Sequence, residues 1–176
     1  MRRSRSDAAK RSPSLDARER LRRRYRPKKV RILFVGEAPP ASGRFFYQAD
    51  SGLYRAMREA FLSALPHLKS TDFLDAFQSL GCYLVDLCGR PVDQMEMAAR
   101  RGVCLSGEGR LSRTIFRLRP KVIVTVVRSI GANVRRAEAD ARWSGLHVEL
   151  PYPGRWHHYR KEFRRKLMPL LRARLR

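Results

Sequence analysis

Four short runs of apolar, mostly β-branched residues limit this chain more than any other feature: VRILFV at 30–35, CYLVDL at 82–87, KVIVTVV at 121–127 and LHVEL at 146–150. Each is followed by a turn former or a polar residue. They are too short for buried helices, and their apolar character is continuous, so they read as strands covered on both faces. The segments between them carry helical signals. Ser51 stands as an N-cap before GLYRAMREAFLSAL, where apolar residues recur at three- and four-residue spacing up to Pro66. Residues 92–101 and 111–118 read as helical, Ser129 as the N-cap of a helix to about residue 140, and 157–174 as a long basic helix bent near Pro169. Strands alternating with helices predict an α/β fold: a three-layer sandwich with a mostly parallel four-stranded central sheet flanked by helices.

Charge restricts the partner. The 176 residues hold 39 Lys/Arg against 16 Asp/Glu, a formal net charge of +23, which points to a polyanion and first to nucleic acid. Residues 1–29 hold 13 Lys/Arg and 3 acids, so the body that follows is basic as well. The expected division is a basic, disordered tail over 1–28, with a short helix possible from Leu15 to Tyr25, and a single domain over 29–176. No apolar run approaches the roughly 20 residues of a membrane span, and the basic N-terminus lacks the apolar stretch of a secretory signal. Three cysteines, Cys82, Cys88 and Cys104, without a CxxC pair give neither a disulfide framework nor a zinc signature, which fits a reducing, cytoplasmic setting. There is no P-loop, dinucleotide fingerprint or RNP-like aromatic signature.

In parallel α/β sheets the functional site lies in the loops leaving the carboxyl ends of the strands. Here those loops are 36–50, 86–91, 128–131 and 151–158. The first reads GEAPPASGRFFYQAD, rich in Gly and Pro with three aromatics in a row. Gly36-Glu37-Ala38-Pro39-Pro40 resembles the first motif of the uracil-DNA glycosylase superfamily, closest to the GEAPG form of its thermostable, iron–sulfur branch. Gly43-Arg44-Phe45-Phe46 matches the GRPF that follows there. Leu84-Val85-Asp86-Leu87-Cys88-Gly89-Arg90-Pro91 stands where the family's second strand ends in a base-reading Asn and a Cys-Arg-Pro stretch. The segment LRPKVIV at 118–124 resembles its third strand, and Leu150-Pro151-Tyr152-Pro153-Gly154-Arg155 stands at its His-Pro-Ser loop. The resemblance covers the body from about residue 30 to 170. Three departures mark a divergent branch: Asp86 replaces the Asn, Tyr152 the loop His, and the N-terminal cysteine pair is missing. Three cysteines cannot supply a four-thiolate site, so no cluster and no other cofactor is expected.

The resemblance implies a monofunctional enzyme that flips uracil, or a related deaminated base, out of DNA and hydrolyses its glycosidic bond, leaving an abasic site. Glu37 and Asp86 are the catalytic candidates, either of which would orient water and stabilise the cationic sugar. Gly36, Ala38, Pro39 and Pro40 would line the base site, with backbone amides aimed at the base carbonyl. Phe46 is the stacking candidate, and Pro40 or Tyr47 the wall that rejects the thymine methyl. Arg44, Arg128 and Arg160 are candidates for phosphate contacts, as is the helix start after Ser129. Tyr152, Pro153, Gly154 and Arg155 form the candidate wedge loop, and Tyr152, Arg155 or His157 takes the place of the missing loop His. Each feature also has a plain structural reading: a Gly-Pro turn, core aromatics at 45–47, a capping Asp86, a surface His157 and His158 without acidic metal partners. The competing function is a non-catalytic binder of DNA lesions or abasic sites on the same scaffold. DNA is the expected partner, no membrane is, and a monomer suits one DNA site.

Overall fold

The computed structural model describes residues 15–154 and 156–175. Its strands are β1 (Ile32–Gly36), β2 (Cys82–Asp86), β3 (Val122–Thr125) and β4 (Leu146–Glu149); its helices are α1 (Leu15–Arg24), α2 (Gly52–Ala64), α3 (Phe73–Ser79), α4 (Met97–Leu118), α5 (Gly131–Asp140) and α6 (His157–Leu175). The sheet is parallel throughout, in the order β2-β1-β3-β4. All four apolar runs became strands, and the three-layer α/β sandwich expected from them is the architecture found. β1 and β3 occupy the middle of the sheet, and every residue in them is buried. Helices pack in two groups, α2 with α6 and α4 with α5.

An aromatic cluster fills the space between the sheet and α2 and α3. Phe34 of β1 contacts Phe61 and Phe77, with ring centroids 6.3 and 5.5 Å away. Phe73 joins both, at 5.4 and 5.8 Å. The cap at Ser51 is formed, its side chain accepting from the Tyr54 amide at 3.1 Å. Asp72 caps α3 in the same way, accepting from Leu74 and Asp75; this seven-residue helix is too short to show periodicity in the sequence.

The structure differs from expectation at three places. The segments 92–101 and 111–118 are not separate helices: one helix, α4, runs unbroken from Met97 to Leu118. Gly102, Gly107 and Gly109 weaken its intrinsic propensity, which is why it reads as interrupted. Gly107 is there for contact. A Cβ on it would stand 2.3 Å from the Leu87 carbonyl oxygen, so only glycine lets α4 lie against the loop leaving β2. Second, Ser129 is not a helix cap. Residues 128–130 form a 3-10 turn, and α5 begins at Gly131 with Ile130 in the capping position and no side-chain cap bond. The long basic helix expected over 157–174 is present as α6, with Pro169 inside it.

The third difference concerns the tail. Residues 1–14 lie outside the described residues; over the rest of 1–28 the short helix read from Leu15 to Tyr25 is present as α1, Leu15–Arg24, and in place of the expected disorder it is docked on the body. Tyr25 stacks on Tyr47 (5.7 Å, 11° between planes), and Gln78 Nε2 donates to the carbonyls of Arg24 and Arg26 at 3.0 and 3.1 Å. Leu21 and Tyr25, one helical turn apart, pack against the core. Their apolar surface, small beside the surrounding charge, is what ties the segment down.

Helices α4 and α5 are also joined by a polar clamp. Glu108 accepts from Asn133 Nδ2 at 2.7 Å and from Arg136 Nε and Nη2 at 3.0 and 2.6 Å. The bonds from Arg136, and after them that from Asn133, hold the Glu108 carboxyl below the usual carboxylate range. A carboxyl depressed by folding contributes stability that is complete above its unfolded pKa, about 4.3, and is lost as pH falls through the folded value. Urea unfolding of Glu108→Gln is therefore expected to show a lower stability than the wild type at pH 7 and a shallower loss on acidification below about pH 5; parallel pH profiles would remove the clamp from the account.

Candidate active site

The parallel register places the ends of β1 and β2 side by side, with Gly36 opposite Asp86. A Cβ on Gly36 would lie 2.8 Å from Asp86 Oδ1, so the missing side chain gives the carboxylate its place across the end of β1. The side chain of Asp86 is only 9% exposed, and its Oδ2 accepts from Arg22 Nη2 of α1 at 2.6 Å. Burial pushes the Asp86 carboxyl above the usual carboxylate range, and the charges of Arg22, Arg110 and Arg18 pull against it. Glu37, the next residue after Gly36, is held by Arg100 of α4 through two parallel bonds, Nε to Oε1 at 2.6 Å and Nη2 to Oε2. Both candidate carboxylates are thus engaged by a guanidinium, Glu37 through two parallel bonds and Asp86 through one.

Above them lies an open cavity of about 860 Å³. All four strand ends contribute to it: Gly36 to Pro40 after β1, Leu84 and Asp86 of β2, Val126 and Val127 after β3, and Tyr152, Pro153 and Gly154 after β4. The third loop enters through 126–127, one turn earlier than the 128–131 expected from the sequence. Arg44, Arg55 and Arg160 also line the space, as do Asp93 and Glu59. With Arg100, Glu37 and Asp86 included, arginines and carboxylates in the lining are equal in number, four of each.

The aromatic residues of the first loop are placed differently from expectation. Phe46 borders the cavity but is 3% exposed, its ring set among Tyr47, Tyr54, Phe73 and Phe77 at 5.1 to 6.4 Å. It is a packed floor and not a free-standing platform. Tyr47 does not line the cavity. Its hydroxyl donates to the Leu84 carbonyl at 3.0 Å and accepts from the Leu84 amide at 2.8 Å, so its polar end is used in tying the loop to β2. Tyr47 is therefore a core residue, and of the two candidates for a wall against a methyl group Pro40 is the one at the cavity.

The DNA-contact candidates also separate. Arg44 is exposed at the cavity, and Tyr152, 48% exposed, stands at its mouth beside Pro153 and Gly154. Arg155 lies outside the described residues. His157 is exposed at the start of α6 and does not line the cavity, nor does Ser129. The helix start after Ser129 is occupied from within: the Glu149 carboxylate lies 2.5 to 2.7 Å from where a Cβ on Gly131 would stand, and Arg135 pairs with it. A phosphate there would meet that carboxylate, so the expected contact is withdrawn. Arg128 is bonded to Glu162, and Arg160 Nε donates to the Gly154 carbonyl at 2.8 Å.

Three residues at the site were missed in the sequence. Arg100 lies on α4, where the glycines concealed the helix. Arg22 sits in a run of basic residues that reads as a solvated tail; the legible signal was Leu21 and Tyr25 at helical spacing beside it. Trp156, 62% exposed, follows the loop at the cavity mouth. Cys88 and Cys104 lie with sulfurs 3.6 Å apart next to Glu37, and burial pushes the Cys88 thiol up to about 12, which leaves it unreactive. Among the described residues no group of three or more His, Cys, Asp or Glu is arranged to hold a metal, and no helix is long and apolar enough to cross a membrane.

Compared with known proteins, the chain matches no protein-family model and no curated sequence.

The Arg22–Asp86 pair gives a direct test of α1 as part of the site. Removing one partner of a buried ion pair leaves the other charge uncompensated, at a cost of about 3–5 kcal/mol. Arg22→Ala is expected to lose stability on that scale in chemical denaturation, where an arginine in a solvated tail would change it by less than about 0.5 kcal/mol.

Proposed function

We propose that this protein is a DNA glycosylase that takes an extruded uracil, or a related deaminated base, into the cavity at the strand ends and hydrolyses its N-glycosidic bond. The observation that carries the reading is the pairing of Glu37 and Asp86 at the ends of two adjacent parallel strands, on one cavity bounded by all four strand ends. The cavity falls within the range of small-molecule sites and exceeds what a base alone needs, which suits a nucleotide with its sugar. Among 36–40 only Gly36, Glu37 and Ala38 carry amide hydrogens, since Pro39 and Pro40 have none; the donors for a base carbonyl are limited to these.

Bond cleavage builds positive charge on the sugar and negative charge on the leaving base. Asp86 suits the first. With Oδ2 engaged by Arg22, Oδ1 is the oxygen placed against Gly36 at the cavity, where it orients water and stabilises the sugar cation. Glu37, flat against Arg100, supports the same region. Pro40 walls the base pocket, and Phe46 packs into its floor. Arg44 and the loop at Tyr152 face the DNA. No cofactor enters this scheme, and the working unit is a cytoplasmic monomer.

One observation favours the competing reading of a non-catalytic lesion binder: both carboxylates are engaged by arginines, Glu37 through both oxygens by Arg100 and Asp86 through Oδ2 by Arg22, which leaves fewer carboxylate oxygens for a reacting water. The two readings separate on a uracil-containing oligonucleotide with EDTA present. The glycosylase is expected to give an alkali-labile abasic site; a binder retains uncleaved or abasic DNA in a gel shift and releases no base. Asp86→Asn is expected to lower single-turnover excision at saturating enzyme by about 10²- to 10⁴-fold, the contribution typical of a positioned acid–base group, with DNA affinity measured separately. A rise in activity would transfer Asp86 from catalysis to base reading. No release of uracil from single- or double-stranded substrate would remove the enzyme reading altogether.

A further inference from the structure

A second cleft, of about 700 Å³, lies between α1 and α4 on the far side of Asp86. Tyr83 and Val85 of β2 are in its wall. Asp86 lines both this cleft and the candidate active site. Six arginines face it, among them Arg18, Arg22 and Arg110, against three carboxylates, Asp16, Glu19 and Asp86. It is therefore strongly cationic, unlike the balanced cavity on the other side.

The arginines nearest Asp86 are only partly used. Arg110 Nη2 donates to the carbonyls of Asp86 and Leu87 at 3.0 and 2.9 Å. Arg22 gives Nη1 to Glu19 at 2.9 Å and Nη2 to Asp86 at 2.6 Å. Its Nε, which is buried, has no hydrogen-bond partner among the described residues, and the same holds for Nε of Arg18. Arg18 is only 6% exposed as a whole residue. A buried guanidinium donor without an acceptor is costly, and a native structure that holds two in one cleft calls for a ligand that accepts from them. Across the whole cleft six guanidiniums face three carboxylates, a surplus of positive charge that accommodates a doubly charged oxyanion, and the guanidinium fork matches phosphate oxygens in particular.

We propose that the α1–α4 cleft is a phosphate-binding site in which Arg18 and Arg22, through their Nε–H groups, and Arg110 hold one phosphate group. The site does not depend on base excision. It is separate from the candidate active site but shares Asp86 with it, so a phosphate bound there and a substrate in the cavity meet through that carboxylate. The group bound is either free phosphate or a phosphate of a nucleic-acid strand.

The test is a nitrogen–proton NMR titration of the arginine Nε–Hε resonances of the full chain with inorganic phosphate, chloride being adjusted to constant ionic strength. Arg18 is assigned through bonds and by its loss in Arg18→Lys, and the exposed Arg165 of α6 serves as the reference for diffuse attraction. Saturable shifts of the Arg18 and Arg22 resonances, with Arg165 moving little and without saturation, are expected. Arg18→Lys keeps the charge but not the fork, and is expected to weaken phosphate binding by about tenfold with an unchanged melting temperature in phosphate-free buffer, whereas Arg165→Lys leaves binding as it was. A still Arg18 resonance, or equal unsaturated shifts at Arg18 and Arg165, overturns the proposal, and the wild-type titration decides it even if the variant does not fold. A short oligonucleotide that displaces phosphate from Arg18 assigns the site to a strand phosphate; one that leaves phosphate bound assigns it to the free ion. Either is read independently of uracil release.

Discussion

The rest of the site depends on one buried carboxylate at the end of a parallel sheet. Register alone brings Gly36 opposite Asp86, and glycine alone leaves room for the carboxylate across the neighbouring strand. A charge so placed is unstable by itself. It requires cations from outside the sheet, and the chain supplies them from two helices far apart in sequence: Arg18 and Arg22 on α1, Arg110 on α4. The docking of α1 and the position of α4 are thus tied to the same electrostatic demand. Gly107, which lets α4 approach the Leu87 carbonyl, brings its face of the helix to the loop that Arg110 also bonds.

This explains which parts of the fold were legible in the sequence. Strands of a covered parallel sheet are continuous apolar runs, a one-dimensional signal, and all four could be read to within a few residues. Capping by Ser51 is local and was equally plain. Helix α4 was not, because its glycines answer a contact made in three dimensions, with Leu87, and local propensity speaks against them. Helix α1 could be read as a short helix over 15–25, but its docking on the body was hidden for the opposite reason. Its local pattern is dominated by arginines, which read as solvated until Asp86, 64 residues away, is seen to need them. Ser129 was a plausible cap by residue type, but the chain takes a 3-10 turn there, and the Glu149 carboxylate lies at Gly131 instead.

The site was legible to the same extent and no further. Residues whose place follows from being at a strand end, Gly36 through Pro40, Asp86 and 152–154, all arrive at one cavity. Residues assigned by chemical type within a loop fared less well. Phe45, Phe46 and Tyr47 are consecutive, and nothing in their order tells which ring faces a ligand. The answer comes from Tyr47, whose hydroxyl takes both backbone groups of Leu84 and so turns its ring inward, while Phe46, though it borders the cavity, is packed among its neighbours.

The charge excess can now be divided. Four arginines and four carboxylates balance in the candidate active site, and α1 spends part of its charge inside the molecule on Asp86 and Glu19. A cavity neutral in this sense does little to draw a polyanion from a distance, because attraction at long range follows net charge and not the number of charged groups. The excess lies outside it, and the cleft between α1 and α4, with six arginines against three carboxylates, holds part of it. On the function proposed above, holding a nucleic acid and acting on a base fall to different sets of residues, joined at Asp86, which alone among the lining carboxylates borders both spaces. Altering Asp86 then acts on both together, because the carboxylate at the candidate active site is held by Arg22, an arginine of the cleft.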